Sequence, residues 1–220
     1  MQGLTLTLQN GFCGSPVSGA EQAVAAGLAR PRKGRDGCYD LFRDRLIIPI
    51  EDSRGRVVAF GGRVMPGSEA EARDAPKYVN SPESAVYQKS KILYGLPHAR
   101  GAIQRRERLI VVEGYFDVIA MVQAGFAETV ATCGTALTPE HVRLIRPHTR
   151  TVVALFDSDE AGSRAAERSL ELFLKAGIES RRIDIGEAKD PDEYIQSHGP
   201  EAFEAALKAS GAAHGSSGVG

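Results

Sequence analysis

Two stretches decide the fold: LIVVEG at residues 109–114 and TVVALFDSD at residues 151–159. Each is a short apolar run that stops abruptly at acidic residues. Such runs are typical of strands buried on both faces of a parallel sheet whose two sides are covered by helices. Because ligands bind beyond the carboxyl ends of such strands, we expect Glu113, Asp157 and Asp159 to converge. Neighbouring carboxylates repel one another unless a cation lies among them, and Mg²⁺ prefers oxygen ligands, so the pattern predicts a metal site.

Composition excludes several classes of protein. With 220 residues, 42% of them hydrophobic, the chain can build one large core or two small ones. It has no apolar run long enough to cross a membrane and no secretory signal, so we expect a cytoplasmic protein. The cysteines at positions 13, 38 and 133 are isolated and form no CxxC pair, so no zinc is expected.

The net charge of -1 hides an asymmetry. Residues 1–110 carry 17 Lys and Arg against 11 Asp and Glu, whereas residues 111–220 carry 10 against 17. This asymmetry suits a protein whose basic half binds a polyanion and whose acidic half binds metal. Chance clustering of solvated surface charges is the alternative.

The chain divides into four segments by composition and pattern. They are a weakly structured N-terminal remnant (1–38), a β-rich basic subdomain (39–96), an α/β domain (97–210) and a disordered tail (211–220). In the second segment, strands at 45–50 and 56–63 are joined by a turn, and Pro49 indicates an edge strand or a bulge. The third segment alternates strands and helices, which implies parallel crossovers.

The elements of the α/β segment follow from apolar periodicity and from Gly, Pro and Thr at their ends. Predicted strands are 109–112, 129–132, 151–156 and 181–185. Predicted helices are 97–106, 115–123, 139–145 and 160–175, followed by two that start at Pro191 and Pro200. Thr138 is the predicted N-cap of the third helix.

Each acidic position also has a purely structural interpretation. Glu113 stands where a helix begins, and an acid there is favoured by the helix dipole, whereas Asp117 could simply lie in the first turns of that helix. Ser158 or Asp159 can cap the helix that follows, although capping alone does not explain two acids directly after a buried strand.

The DPDE run at residues 190–193 has the strongest structural alternative. Asp190 as N-cap, Pro191 at the first helical position and Glu193 two residues later make a sound helix start. The run nevertheless follows the next predicted strand after the D-x-D pair (157–159). This position makes it a candidate for additional ligands of the metal site.

These motifs together resemble a known family. The acidic motifs EGYFD (113–117), DSD (157–159) and DPD (190–192) resemble those of a Toprim domain, the metal-binding fold shared by primases, topoisomerases and some nucleases. Three upstream motifs, FGGR (60–63), PKYVNSPE (76–83) and LYGL (93–96), are similar to the RNA-polymerase core of bacterial DnaG-type primase. The resemblance implies an α/β fold: a Rossmann-like, mostly parallel sheet with helices on both faces, preceded by a smaller β-rich basic subdomain.

The resemblance also implies roles for individual residues. The catalytic residues and principal metal ligands would be Glu113, Asp157 and Asp159. Further acids of the site would be the metal ligands Asp190 and Asp192 and the supporting Asp117. Nucleotide or template contacts would come from Arg63, Lys77, Asn80, Ser81 and Lys89. The implied cofactor is Mg²⁺ or Mn²⁺.

The implied function is synthesis of short RNA primers from ribonucleoside triphosphates on single-stranded DNA, at the replication fork. Intact members of the family also carry a zinc-binding domain and a module that docks on the replicative helicase. Neither is evident here, so we expect a core truncated at both ends. Ser158 departs from the glycine usual between the two aspartates. Another Toprim activity, such as a nuclease, and a non-catalytic nucleic-acid or metal-binding fragment are the alternatives.

Overall fold

The structure, a computed structural model, describes residues 19–155, 160–183, 185, 186, 188 and 190–212. It divides into two compact units, residues 1–88 and residues 89–220. The predicted site residues Asp157 and Asp159 lie outside the described residues, as does most of the predicted tail.

The first unit is built from antiparallel strands. Its elements are α1 (Ala20–Ala25), β1 (Ala29–Pro31), β2 (Cys38–Asp40), β3 (Arg45–Glu51), β4 (Val57–Val64), α2 (Glu69–Ala72) and β5 (Tyr78–Asn80). Strands β1 and β2 form a two-stranded sheet, and β3, β4 and β5 form a second sheet in that order. The β1–β2 hairpin was not predicted, because its strands of three residues are too short to show a periodicity.

The β3–β4 hairpin follows from its sequence. The carboxylate Oδ1 of Asp52 accepts hydrogen bonds from the backbone N–H groups of Arg54 and Arg56, which closes the turn. Pro49 lies in β3 at the edge of the sheet, and a register shift follows between Ile50 and Glu51, as the sequence predicts.

The second unit alternates strands and helices. After a 3-10 turn (Lys89–Lys91) come α3 (Leu96–Arg106), β6 (Leu109–Val112), α4 (Tyr115–Gln123), β7 (Thr129–Ala131), α5 (Pro139–Ile145), β8 (Thr151–Ala154), α6 (Glu160–Lys175), β9 (Glu179–Arg182) and α7 (Pro191–Ala212). The four strands form one parallel sheet in the order β7-β6-β8-β9, flanked by helices. The predicted fold class, a parallel α/β sheet preceded by antiparallel β-structure, is confirmed.

The predicted elements of this unit agree closely with the observed ones. Helices α4, α5 and α6 have the predicted bounds, and the hydroxyl of Thr138 caps α5 by accepting from the N–H of His141. Strand β9 ends earlier than predicted, because its sequence ESRR is polar and gives no apolar signal. The two predicted last helices are both present within α7: they meet at Gly199, whose φ of 82° and ψ of 162° are not helical, directly before Pro200.

The core of the second unit lies around β6. All four residues of β6 are buried, and two of them, Leu109 and Val111, belong to a core cluster with apolar side chains of the surrounding elements, among them Leu96, Ile103, Ile145 and Phe173. No helix in the described part of the chain combines the length and apolar character needed to cross a membrane.

Candidate active site

The ends of three neighbouring strands bring Glu113 to one edge of the parallel sheet. Glu113 directly follows the buried strand β6. Its backbone carbonyl accepts a hydrogen bond from the N–H of Cys133, which follows β7, at 2.9 Å. On the other side of β6, the N–H of Leu155, which follows β8, donates to the carbonyl of Val111 at 2.9 Å. Strands β7, β6 and β8 therefore end at the same edge, where ligands bind in sheets of this type.

The first turn of α4 holds a second carboxylate close to Glu113. Oδ2 of Asp117 accepts a hydrogen bond from the backbone N–H of Gly114 at 2.8 Å. A Cβ on Gly114 would lie 3.1 Å from the same oxygen, so a glycine here gives the carboxylate room. The Asp117 carboxylate is thus part of the cap of α4.

The pKa of Asp117 indicates which acids share this region. Burial is the largest cause that raises the pKa of Asp117 to about 6, and the hydrogen bond from Gly114 opposes it. The negative charges of Asp190, Glu113 and Asp192 raise it further. Asp117 therefore interacts electrostatically with three other carboxylates, at the end of β6 and at the start of α7, and we call these four groups the acidic cluster.

Asp190 caps a helix and also acts electrostatically on Asp117. Its Oδ1 accepts a hydrogen bond from the N–H of Glu193 at 2.9 Å, and Pro191 occupies the first helical position of α7. This is the predicted cap. The charge of Asp190 still acts on Asp117, so capping α7 does not remove Asp190 from the acidic cluster.

The charge of Lys89 acts on a buried thiol whose backbone is bonded to that of Glu113. Burial raises the pKa of the Cys133 thiol well above its usual range; the charge of Asp117 raises it further and that of Lys89 lowers it. Both charges therefore lie near the same thiol. Cys133 was expected to be a small buried residue, and no signal in the sequence relates it to Glu113, because that proximity comes from the pairing of β7 with β6.

The chemistry of these donors fits a hard divalent cation. The acidic cluster offers carboxylate oxygens, which Mg²⁺ and Mn²⁺ prefer, and their mutual repulsion is what a cation relieves. Among the described residues, however, no group of three or more His, Cys, Asp or Glu side chains is arranged to hold a metal ion. The two other predicted ligands, Asp157 and Asp159, lie outside those residues.

In the first unit, two predicted phosphate-binding cations flank an aromatic ring. The guanidinium carbon of Arg63 lies 5.8 Å from the centroid of the Tyr78 ring, and Nζ of Lys77 lies 5.6 Å from it. The Tyr78 side chain is 44% exposed, so ring and cations form an accessible basic surface. Tyr78 was not among the predicted site residues; the alternation of basic and aromatic residues in PKYVNSPE is the signal that points to it.

The two polar residues predicted beside this surface differ in exposure. Ser81 is buried, and its hydroxyl accepts a hydrogen bond from the N–H of Phe60 at 3.1 Å, while its own N–H donates to the carbonyl of Phe60 at 2.8 Å. Ser81 thus extends the pairing of β4 with β5. Asn80 is half-buried and pairs with Gly61 in the same ladder. Contacts of Asn80 and Ser81 with nucleotide or template remain predictions.

Comparison with known proteins covers both units. A family model described as the DNA primase catalytic core, N-terminal domain, matches residues 8–100, and one described as Toprim-like matches residues 110–195. The DNA primase of Synechococcus elongatus is 44% identical over 185 residues, which are 81% of this chain and 26% of that protein.

Solved structures agree in fold. The Escherichia coli primase catalytic core superposes with a TM-score of 0.78 at 38% identity, covering 92% of this chain and 63% of that one. A DnaG primase catalytic domain bound to single-stranded DNA superposes with a TM-score of 0.78 at 38% identity. The match covers 90% of this chain and 60% of that one. The chain spans about a quarter to a third of the length of the curated relatives that it matches.

Proposed function

This chain belongs to the family of DnaG-type bacterial DNA primases, as part of their catalytic core, and we propose that it synthesises short RNA primers. Its substrates would be ribonucleoside triphosphates and its template single-stranded DNA, at the replication fork in the bacterial nucleoid. The observation that carries the proposal is the acidic cluster, in which Glu113, at the end of a buried parallel strand, shares one region with Asp117, Asp190 and Asp192.

The metal ligands in this proposal are the acids at the strand ends. Glu113, Asp157 and Asp159 would hold Mg²⁺ or Mn²⁺, with Asp190 and Asp192 as additional ligands. When bound, the divalent ions would supply charge neutralisation on the triphosphate and a lower pKa for the attacking 3′-hydroxyl. Asp117 would act behind the ligands, because its hydrogen bond to Gly114 holds the turn that presents Glu113.

The cations would bind the substrates. The charges of Lys89 and Asp117 both act on Cys133, whose backbone is bonded to that of Glu113, so the Lys89 ammonium is suited to a triphosphate bound at the metal. Arg63 and Lys77, with Tyr78 between them, offer charge for backbone phosphates and a ring on which a base can stack. Asn80 and Ser81 would support this surface.

The partners follow from the same chemistry and from the relatives. A DnaG catalytic domain has been solved with single-stranded DNA, which supports a template of that kind for this chain. The RNA primer would remain bound as the product, and the replicative helicase would be a partner of the intact protein.

A primer-synthesis assay tests the proposal. The protein is incubated with single-stranded DNA, labelled ribonucleotides and Mg²⁺ or Mn²⁺, and the RNA products are separated by length. We expect short RNA from the wild type and a loss of at least about a hundredfold in Glu113→Gln, since that change removes a charge needed in the transition state.

The matched control is Glu171→Gln. It removes the same charge from an exposed carboxylate whose partner is Lys175 on α6, and it should leave synthesis unchanged. DNA cleavage without RNA synthesis would replace the primase proposal with a nuclease. Equal RNA synthesis by Glu113→Gln and the wild type would refute the assignment of the metal site.

A further inference from the structure

His141 is a fully buried histidine in the first turn of α5, and both of its ring nitrogens are engaged. Its Nδ1 lies 3.2 Å from the backbone nitrogen of Thr138, which can only donate, so Nδ1 accepts. The proton of the neutral ring is then on Nε2, which lies 2.9 Å from the carbonyl oxygen of Lys89 and donates to it. The ring therefore joins the start of α5 to the backbone of the 3-10 turn.

A second hydrogen bond joins the same two elements. The hydroxyl of Thr138 donates to the carbonyl of Ser90 at 2.7 Å and accepts from the N–H of His141 at 3.1 Å. The backbone of the turn is thus held at two successive carbonyls, those of Lys89 and Ser90, by two side chains of one helix cap. The bonds to the Lys89 and Ser90 carbonyls are not needed for capping. The N–H groups of Thr138 and His141 are already satisfied by the His141 ring and the Thr138 hydroxyl, respectively.

The position of the turn decides where the Lys89 ammonium can act. The charges of Lys89 and Asp117 both reach the thiol of Cys133, and the Cys133 N–H is bonded to the Glu113 carbonyl. A shift of the turn would therefore change the distance between Lys89 and the acidic cluster. The Lys89 side chain has four flexible carbons, so its ammonium can be positioned well only if the backbone of Lys89 is held in place.

We propose that His141 is a positioning residue for Lys89: its Nε2–H holds the backbone of the turn from which the Lys89 ammonium binds the triphosphate. The inference rests on the proposed function, because it assigns the ligand of Lys89 from it. Its structural part, the control of Lys89 by Nε2 of His141, can be tested without any primer synthesis.

Two substitutions separate positioning from capping. In His141→Gln, the amide nitrogen can take the place of Nε2 and donate to the Lys89 carbonyl. In His141→Asn, the side-chain oxygen can take the place of Nδ1 and accept from Thr138, but the side chain is too short to reach Lys89. Arg143→Gln, an exposed change on the same helix, is the control for general effects on α5.

The first measurement is the acylation rate of Lys89 by an amine-reactive ester, followed by mass spectrometry, with exposed Lys91 of the same turn as internal reference. We expect His141→Asn to change the Lys89 rate about fivefold, the effect of losing one typical hydrogen bond, while the Lys91 rate stays constant. His141→Gln and Arg143→Gln should match the wild type.

The second measurement is the KM for ATP in primer synthesis, or the Kd of ATP with Mn²⁺ if the wild type makes no primer. His141→Asn should raise it roughly tenfold and His141→Gln much less, as for other residues that orient a ligand. Equal Lys89 rates in all variants would overturn the inference, and so would equal losses in the Asn and Gln variants. A wild type without synthesis, but with the expected Lys89 rates, would count against the proposed function alone.

Discussion

The carboxylate of Asp117 is tied to the turn after β6 by the N–H of Gly114, with 2.8 Å between Oδ2 and the nitrogen. The same oxygen would lie 3.1 Å from a Cβ at position 114. A side chain at position 114 would therefore press on the Asp117 carboxylate at the start of α4.

Gly114→Ala should weaken metal binding with little effect on folding. The φ of Gly114 is -118°, which alanine adopts freely, so the added methyl acts mainly by pushing the Asp117 carboxylate a few tenths of an ångström. We expect the Kd for Mn²⁺ to rise several-fold, at the lower end of the roughly 10- to 100-fold range for residues that support ligands. Titration followed by electron paramagnetic resonance measures it, and an unchanged Kd would contradict the prediction.

Gly101→Ala is the control for a glycine substitution and should stabilise the protein. Gly101 lies within α3, and a Cβ there meets only the end of the flexible Arg105 side chain, at 3.3 Å. Alanine costs less backbone entropy than glycine inside a helix, so the free energy of unfolding should rise by about 0.5–1 kcal/mol. Urea unfolding measures it, and the affinity for Mn²⁺ should not change.

An ion-pair network at the start of β6 should be essential for stability. Arg108 donates to Oε1 of the fully buried Glu128 at 3.0 Å and makes two hydrogen bonds with Glu204 on α7, at 3.0 and 2.7 Å. Arg108→Met would leave the Glu128 carboxylate buried, with the Arg106 guanidinium, at 3.5 Å, as its remaining ion-pair partner in the described part of the chain. Removing one partner of a buried pair typically costs about 3–5 kcal/mol.

Two comparisons make the network prediction specific. Arg108→Met combined with Glu128→Leu should recover much of the lost free energy of unfolding, because no unpaired carboxylate then remains buried. Lys175→Met, which breaks the exposed Lys175–Glu171 pair, should change it by less than about 1 kcal/mol. A loss in Arg108→Met as small as that in Lys175→Met would show that Glu128 is hydrated in solution.

Stability should fall below about pH 6.5 because His141 is buried in the neutral form. Burial lowers the pKa of His141 below its ordinary value of 6.5, opposed by the carbonyls of Lys89 and Ile92 and by the charge of Glu140. The unfolded chain then binds a proton that the folded chain does not. Folding stability is full above pH 6.5 and decreases as the pH falls, by at most about 1.4 kcal/mol per pH unit.

Urea unfolding between pH 5 and pH 8 checks this dependence. His141→Gln cannot titrate and should flatten the curve. His148→Gln should flatten it less, because burial also lowers the pKa of His148 but that side chain is only half-buried. Identical slopes for His141→Gln and the wild type would contradict the prediction.

Lys77→Ala should weaken binding of single-stranded DNA regardless of its sequence. The Lys77 ammonium beside the Tyr78 ring offers a charge to phosphates but no base-specific contact. The slope of log K against log salt should decrease by about 0.7, the value for one lost phosphate contact on a single strand. Fluorescence anisotropy at several salt concentrations measures the slope. Arg54→Ala, at the β3–β4 turn, is the control and should leave it unchanged.

Elements with a strong periodic pattern were predictable. The wholly apolar LIVV gave the bounds of β6, and Pro139 with Thr138 before it gave the start of α5. Elements without such a pattern were predicted less well: the bounds of β9, which is polar, were displaced, and β1 and β2, with three residues each, were missed. Local sequence does not specify these strands, because their stability comes from the partners with which they pair.

The residues of the candidate site were likewise predictable only in part. The sequence by itself determined which residues end a buried strand or begin a helix, and so which acids were candidates, because apolar runs and caps are local. Only the tertiary structure decided that Asp190 and Asp192 act on Asp117 and that His141 holds the turn of Lys89. These contacts join residues about 50 to 75 positions apart, and they depend on the order β7-β6-β8-β9 and on helix packing, which follow from burial of the whole core and not from any local pattern.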